Sequence, residues 1–253
     1  MRFKSWITTA LRQRGYFFGK YPAVDFEPLP VFHILVQQLM AVRGQGLSVI
    51  QIGANDGRGF GDPLTQYLDN YPWRAVLVEP QPDVCAVLRK TYASASSHIV
   101  IENVAISSNT DTLVMYRQRN ASPAADNQSS YASSVVSADR SVIRRQLGVR
   151  QEEIEQFEVP CTTIDSLVHK HQMDDCDLLQ VDTEGHERIV LDTLSFESCR
   201  PRMIQFEHGH LRPHDITAVF ARLARHGYRV LYGGRQIDSV ACHHTALTEM
   251  GVQ

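Results

Sequence analysis

A short apolar run, Val49-Ile50-Gln51-Ile52, breaks directly into a loop with glycines at Gly53 and Gly57. About twenty residues later a second run, Ala75-Val76-Leu77-Val78, ends in Glu79. The pairing predicts neighbouring strands of a parallel sheet with a nucleotide cleft at their carboxyl ends. Glycine removes the side chain where a ligand must approach the backbone, and a carboxylate can accept hydrogen bonds from both ribose hydroxyls.

The same punctuation runs along the chain. A helix over Phe32 to Arg43 is stopped by Gly44 and Gly46. Further strands are expected at 98–101, 111–117, 159–164, 177–181, 203–206, 228–232 and 239–242. Helices are expected at about 63–70, 83–92, 138–146, 166–171 and 216–226, and another follows Asp182. Pro63 suits the first turn of its helix, Asp165 a helix cap and Gly227 a stop signal. Strand and helix in alternation predict an α/β, Rossmann-like fold. Its sheet is seven-stranded and mostly parallel, with one antiparallel edge strand from a C-terminal hairpin, and helices cover both faces. Residues 1–46 read as a basic arm and helical extension, and 47–253 as the cofactor-binding domain. The Ala/Ser/Asn-rich stretch 120–134 reads as a mobile loop or substrate lid.

Composition narrows the function. A formal charge of -3 and a pI of about 6.4 argue against nucleic acid held on a general basic surface. The five cysteines include no CxxC pair, so a zinc knuckle is not expected, and reduced thiols in a cytoplasmic protein are. No apolar run reaches the ~20 residues of a membrane span. The first twenty residues carry Arg2, Lys4, Arg12, Arg14 and Lys20 with no acid, and Phe3, Ile7 and Leu11 share a helical face. Two readings stand: contact with an anionic membrane surface, peripheral at its inner face, or a helix packed on its own domain or a partner subunit. The second is favoured. Oligomeric state is not legible.

Polar residues gather where strands end: Gly53, Asn55 and Gly57; Glu79; Asp182-Thr183-Glu184-Gly185-His186-Glu187; Glu207-His208-Gly209-His210. A dinucleotide site would read GxGxxG before a helix. Here the register fails, and Asp56 would repel a pyrophosphate. S-adenosylmethionine, with a cationic sulfonium and no phosphate, suits such a loop better.

Gln51-Ile52-Gly53-Ala54-Asn55-Asp56-Gly57, Val78-Glu79-Pro80, Asn103-Val104-Ala105-Ile106, Thr162-Thr163-Ile164-Asp165-Ser166-Leu167 and Val181-Asp182-Thr183-Glu184-Gly185-His186-Glu187 resemble, in order and spacing, the motif series of FkbM-type methyltransferases. The resemblance covers residues from about 47 to about 232. It implies a class I methyltransferase fold using S-adenosylmethionine, and O-methylation of a sugar, glycan, glycolipid precursor or polyketide-like hydroxyl. By the same resemblance Gly53, Asn55 and Gly57 line the methionine part of the cofactor and Glu79 holds the ribose. Asn103, Val104 and Ala105 border the adenine, and Asp182 lies near the sulfonium. His186 departs from the family's pattern, where a small or apolar residue is the common expectation.

Each residue also has a plainer reading. Asn103 can simply build a turn, and Glu187 can be a first-turn helix carboxylate. For the reaction, His186, His208 and His210 are candidate general bases, with Asp182 a further one. A divalent ion on Asp182, Glu184, Glu207, His208 and His210 is the disfavoured alternative. Rival functions are an NAD-linked oxidoreductase on a similar sheet and a non-catalytic module that keeps the cleft.

Overall fold

The computed structural model describes residues 31–59, 62–108, 111–119, 121, 131–233 and 238–252. The basic arm and most of the Ala/Ser/Asn stretch lie outside them.

Helix α1 spans Val31–Arg43. Phe32, Leu35, Val36, Leu39 and Met40 recur at helical spacing and form its buried stripe. That stripe packs into one core with Val49, Leu77, Trp73 and Leu178. A domain boundary after residue 46 therefore cuts through a single core, and the compact unit begins at Phe32.

The next elements are β1 (Ser48–Ile52), α2 (Thr65–Asn70), β2 (Arg74–Val78), α3 (Pro82–Thr91) and β3 (His98–Glu102). After them come β4 (Ala105–Ile106), β5 (Thr112–Gln118), α4 (Tyr131–Ser134), β6 (Val136–Ser137), α5 (Arg140–Leu147) and β7 (Ile154–Thr162). The chain continues through α6 (Ile164–His171), β8 (Leu178–Val181), α7 (Glu187–Asp192), β9 (Met203–Phe206) and α8 (Pro213–Arg225). It closes with β10 (Tyr228–Leu231), β11 (Ser239–His243) and α9 (His244–Glu249).

Seven strands form the main sheet in the order β10-β11-β9-β8-β1-β2-β3. Chain order reverses at β1, which pairs in parallel with β2 on one side and β8 on the other. Ligands of open α/β sheets bind outside the carboxyl ends of the strands at such a reversal. The last two strands do form a hairpin, but the antiparallel strand is not at the edge. β11 pairs antiparallel with both β10 and β9, which leaves β10 outermost. Burial explains this order. All five β11 residues are buried, whereas β10 exposes Arg229 and Leu231 and tolerates an open edge.

A second sheet, β4-β7-β5-β6, stands apart from the first. In β5, Met115 is buried and Leu113 partly so, while Thr112 and Val114 face out, as the alternation predicts. Strand β7 starts five residues before its expected start. Two residues expected at helix starts serve differently. Pro63 precedes α2 rather than opening it. Asp165 does not cap α6; Thr163 does, accepting from Ser166 N at 3.1 Å. Asp165 instead accepts from Ser195 N and Ser198 Oγ, each at 2.8 Å, and so ties α6 to the segment after α7. All five cysteines are unbridged and buried.

Candidate active site

A cleft of about 830 Å³ opens at the chain reversal. Gly53, Asn55 and Glu79 line it from β1 and β2, and Asp182, Thr183, Glu184 and His186 from the loop after β8. An apolar wall faces them: Val104, Ala105 and Ile106 at β4, Leu113 and Met115 on β5, and Val136 on β6. Of this wall, Val104 and Ala105 were the expected cofactor residues. The β5 and β6 contributions depend on a second sheet that no local pattern announces.

Gly53 is where the cleft cannot accept a side chain. Its φ is +85°, and a Cβ there would lie 1.6 Å from the Asp182 carbonyl oxygen. Both the backbone conformation and the close approach of β1 to the β8 loop require glycine. Gly57 has a different task. A Cβ on it would meet Tyr92 at 2.4 Å, and its carbonyl accepts from Tyr92 Oη at 2.6 Å and Thr65 Oγ1 at 2.9 Å. Gly57 thus packs the loop against α3 and α2 and is not among the cleft-lining residues.

The loop's amide groups are already committed. Gly53 N and Ala54 N donate to Val78 O, and Asn55 N donates to Glu79 Oε2. Asp56 N donates to Asn55 Oδ1, Gly57 N to Ala54 O, and both Arg58 N and Gly59 N to Asp56 Oδ1. A pyrophosphate needs such amides free and a helix starting behind them. Here every amide from Gly53 to Gly59 has a protein acceptor, and the next helix starts at Thr65. Asp56, expected to repel a phosphate, is 4% exposed and turned into its own loop. The dinucleotide is excluded by the saturated amides rather than by that charge.

Glu79 sits at the end of β2, 3% exposed. It accepts from Asn55 N at 3.1 Å and Gln81 N at 2.8 Å. Burial pushes its pKa up to about 7, against those two hydrogen bonds. Asn103 serves the backbone: its amide nitrogen donates to the carbonyls of Glu79 at 2.8 Å and Pro80 at 2.9 Å. It is not in the cleft lining, whereas Val104 and Ala105 are.

The loop after β8 is held by Glu187. This carboxylate is fully buried and accepts from Thr183 N (2.9 Å), Thr183 Oγ1 (3.0 Å) and Gly185 N (3.0 Å). It thereby fixes Glu184 at φ 55°, a left-handed conformation costly for a residue with a side chain. Burial, then Glu207, raise the Glu187 pKa to about 7. Asp182 and Glu184 are raised in the same way, by burial first and then by the Glu207 charge. Asp238, between β10 and β11, is raised by burial and by Glu207 as well. It was invisible from sequence because it falls between strands rather than at a strand end.

The three histidines separate. His186 lines the cleft, its Nε2 is buried with no hydrogen-bond partner, and burial lowers its pKa. His210 Nε2 lies 3.2 Å from both Glu184 Oε2 and Glu207 Oε1. The hydrogen bond to Glu207 raises its pKa, so it favours the cation. Gln146 from α5 joins this group, its Nε2 at 2.6 Å from His210 Nε2. His208 is 2% exposed among aromatic rings, with centroids of Phe206, Phe220 and Tyr232 at 6.3, 6.4 and 5.0 Å. It does not line the cleft. Glu184, Glu207 and His210 form one group with metal-ligand spacing, and Asp182, Glu187 and Glu207 another.

A glycine turn with saturated amides, a buried acid closing β2 and a carboxylate-lined floor suit an adenosine ligand that carries positive charge. With the strand order, they define a class I methyltransferase. The sequence profile described as the methyltransferase FkbM domain matches residues 51–230. The chain belongs to the FkbM methyltransferase family and is an S-adenosylmethionine-dependent methyltransferase. No curated protein matches it. Among solved structures it is similar to a human methyltransferase 10 domain containing protein, at 10% identity and TM-score 0.40, over 94% of this chain and 93% of that one. It is also similar to a precorrin-6y C5,15-methyltransferase from Geobacter metallireducens, at 12% identity and TM-score 0.39, over 88% and 100%. An O-methyltransferase from Bacillus cereus, in complex with S-adenosylhomocysteine, stands at 10% identity and TM-score 0.40, over 94% and 87%. These likenesses are too slight to bear on substrate.

Proposed function

We propose that the chain transfers a methyl group to a hydroxyl of a sugar, glycan or glycolipid precursor, with His186 as the general base. The observation that carries this reading is an imidazole on the wall of a cofactor cleft lined largely by acids and apolar side chains, where burial lowers its pKa and favours the neutral form.

S-adenosylmethionine supplies an activated methyl on a sulfonium. What the protein must add is alignment and a destination for one proton. Glu79 accepts from the ribose hydroxyls with the lone pairs that Asn55 and Gln81 leave open. Val104, Ala105 and Ile106 form an apolar face for the adenine. Asp182 ionises against the positive charge beside it, since an opposite charge favours the carboxylate that burial disfavours. His186 is on the cleft wall, and one nitrogen of its ring would accept the proton of the acceptor hydroxyl. His186 would take that proton as the acceptor oxygen gains the methyl group that bound S-adenosylmethionine would supply.

His210 is a poor base, because Glu207 and Glu184 stabilise its protonated form. Its role is to offset the charge of those two acids. His208, boxed by aromatic rings, supports the floor. No metal is required in this scheme, and turnover should survive EDTA. Inhibition by EDTA that Mg²⁺ reverses would move the proton chemistry to an ion on Glu184, Glu207 and His210.

The direct test is a radiolabelled methyl donor incubated with fractionated cell-envelope glycans. Label recovered as a methyl ether on sugar supports the reading. Label on nitrogen, or on protein or nucleic acid only, refutes it.

A further inference from the structure

Hydrogen-bond acceptors without donors collect at the carboxyl ends of β8 and β9. Gln180 and Gln205 stand opposite each other in the register of these strands, 3% and 6% exposed. The Oε1 of each is buried with no hydrogen-bond partner among the described residues. Buried amide oxygens are seldom left so, because nothing then offsets their loss of water. Gln205 is held in place: its Nε2 donates to Asp238 Oδ2 at 3.0 Å, which commits the nitrogen and leaves the oxygen free.

The ladder runs one residue further. Asp182 N donates to Ile52 O and Glu207 N to Val181 O, so by alternation Asp182 and Glu207 fall on the face that carries Gln180 and Gln205. Ser239 pairs with Phe206, which sets Asp238 beside Glu207. Carboxylate oxygens of Asp182, Glu187 and Glu207 lie within 4.8 Å of one another, and Asp182 lines the cleft itself. Glu207 Oε1 faces His210 Nε2 at 3.2 Å, but Glu207 Oε2 is buried with no partner among the described residues. Burial, then the Glu207 charge, raises the pKa of both Asp182 and Asp238. His210 sets one positive charge against Asp182, Glu184, Glu207 and Asp238. S-adenosylmethionine, with a sulfonium, an ammonium and a carboxylate, adds only one more, so negative charge stays in excess.

We infer that the acceptor carries a protonated amine besides its hydroxyl, and that Glu207, Asp238 and Gln205 hold this ammonium. The acceptor is then an amino sugar rather than a neutral one. The inference rests on the O-methylation reading above. An alkylammonium has three N–H donors and no acceptor, and Glu207 Oε2, Gln205 Oε1 and the Asp238 carboxylate offer three acceptors, two of them carrying charge. An amine held as ammonium has no lone pair with which to attack, so the methyl group goes to oxygen. A metal ion gathers its ligands at about 2.0–2.6 Å, whereas neighbouring strands set these side chains about 4.8 Å apart. A ligand with several N–H and O–H donors spans such a row.

The probes are glucosamine, N-acetylglucosamine and glucose, titrated by calorimetry into protein saturated with S-adenosylhomocysteine. Glucosamine should bind about tenfold tighter than either neutral sugar, and the advantage should shrink with added salt. In Asp238→Asn, which keeps the shape and the bond to Gln205, the advantage should fall at least about fivefold while S-adenosylhomocysteine affinity stays within a few-fold. Gln205→Met, which keeps the length and removes the acceptor, should lower it too. Equal binding of the three sugars by the unaltered protein overturns the inference, as does no binding of glucosamine at millimolar levels. A preference for glucosamine that survives both substitutions overturns it as well. Saturable Mg²⁺ binding that displaces glucosamine assigns the acids to an ion and overturns it in another way. Failure of S-adenosylhomocysteine to bind refutes the enzyme reading instead, and the sugars are then titrated alone.

Discussion

At the scale of single residues, charge state decides which side chain does what. Three histidines stand at strand ends in the sequence, and no spacing rule ranks them. Their surroundings do: burial lowers the His186 pKa and favours its neutral form, whereas contact with Glu207 and Glu184 raises that of His210 and favours its cation. His186→Ala should lower kcat by about 10²-fold or more, with S-adenosylhomocysteine affinity within a few-fold of the parent. A loss of cofactor affinity instead would assign His186 to binding. The pH profile supplies a second check. Since the His186 pKa is lowered, kcat should rise with pH along an acid limb below the ordinary imidazole value of 6.5. A limb above that value would point to His210. For Glu79, the Glu79→Gln variant keeps the shape but loses acceptor capacity toward ribose, and should weaken cofactor affinity by about tenfold. Calorimetry at constant pH reads the change.

At the scale of elements, the turn after β1 is the part most tightly specified. Gly53→Ala would drive a methyl group into the Asp182 carbonyl at a φ that alanine disfavours. We expect it to cost about 2 kcal/mol or more of stability and to abolish cofactor binding. Denaturant unfolding and a cofactor titration measure the two effects separately. This turn was legible because apolar strand, glycine and carboxylate all fall within one βαβ stretch. The five parallel strands were legible for the same local reason. Elements shaped by distant packing were not. Strand β7 interleaves Glu155, Gln156 and Glu158 with Phe157, so its first half reads as polar until β5 is set beside it. Helix α9 has six residues and owes its place to Leu247 joining the core under α1. The position of β11 inside β10 follows from burial of the whole strand, which sequence adjacency alone does not convey. In the site, Asp182, Glu184, Glu187 and Glu207 were readable as strand-end acids. Gln146, Asp238 and the Leu113/Met115 wall come from insertions around the sheet and were not.

At the scale of the whole molecule, the protein concentrates buried acid beside its cleft and should show this in its pH dependence. Glu79 and Glu187 are raised from an ordinary 4.5 to about 7, and Asp62 from 3.8 to about 6, each chiefly by burial. A carboxyl whose pKa is raised on folding binds more protons in the folded state. The stability it contributes is fully present below its unfolded value and is lost as pH rises through the folded value. Ligand-free protein should therefore lose thermal stability as pH climbs from about 4.5 to about 7. Glu102 works in the opposite sense. Lys170 and His171 overcome its burial and lower its pKa, so its contribution is lost only as pH falls below the ordinary range. A melting temperature that rises across pH 5 to 7 would show that the cleft acids are better solvated than their burial implies. The acid-rich cleft also defines the central claim, that it accepts a positively charged adenosine compound and no pyrophosphate. Calorimetric titration of S-adenosylmethionine and of NAD into the full chain tests this most directly. Saturable binding of S-adenosylmethionine with no heat from NAD is the predicted result. NAD binding, or silence toward S-adenosylmethionine at millimolar concentration, would contradict it.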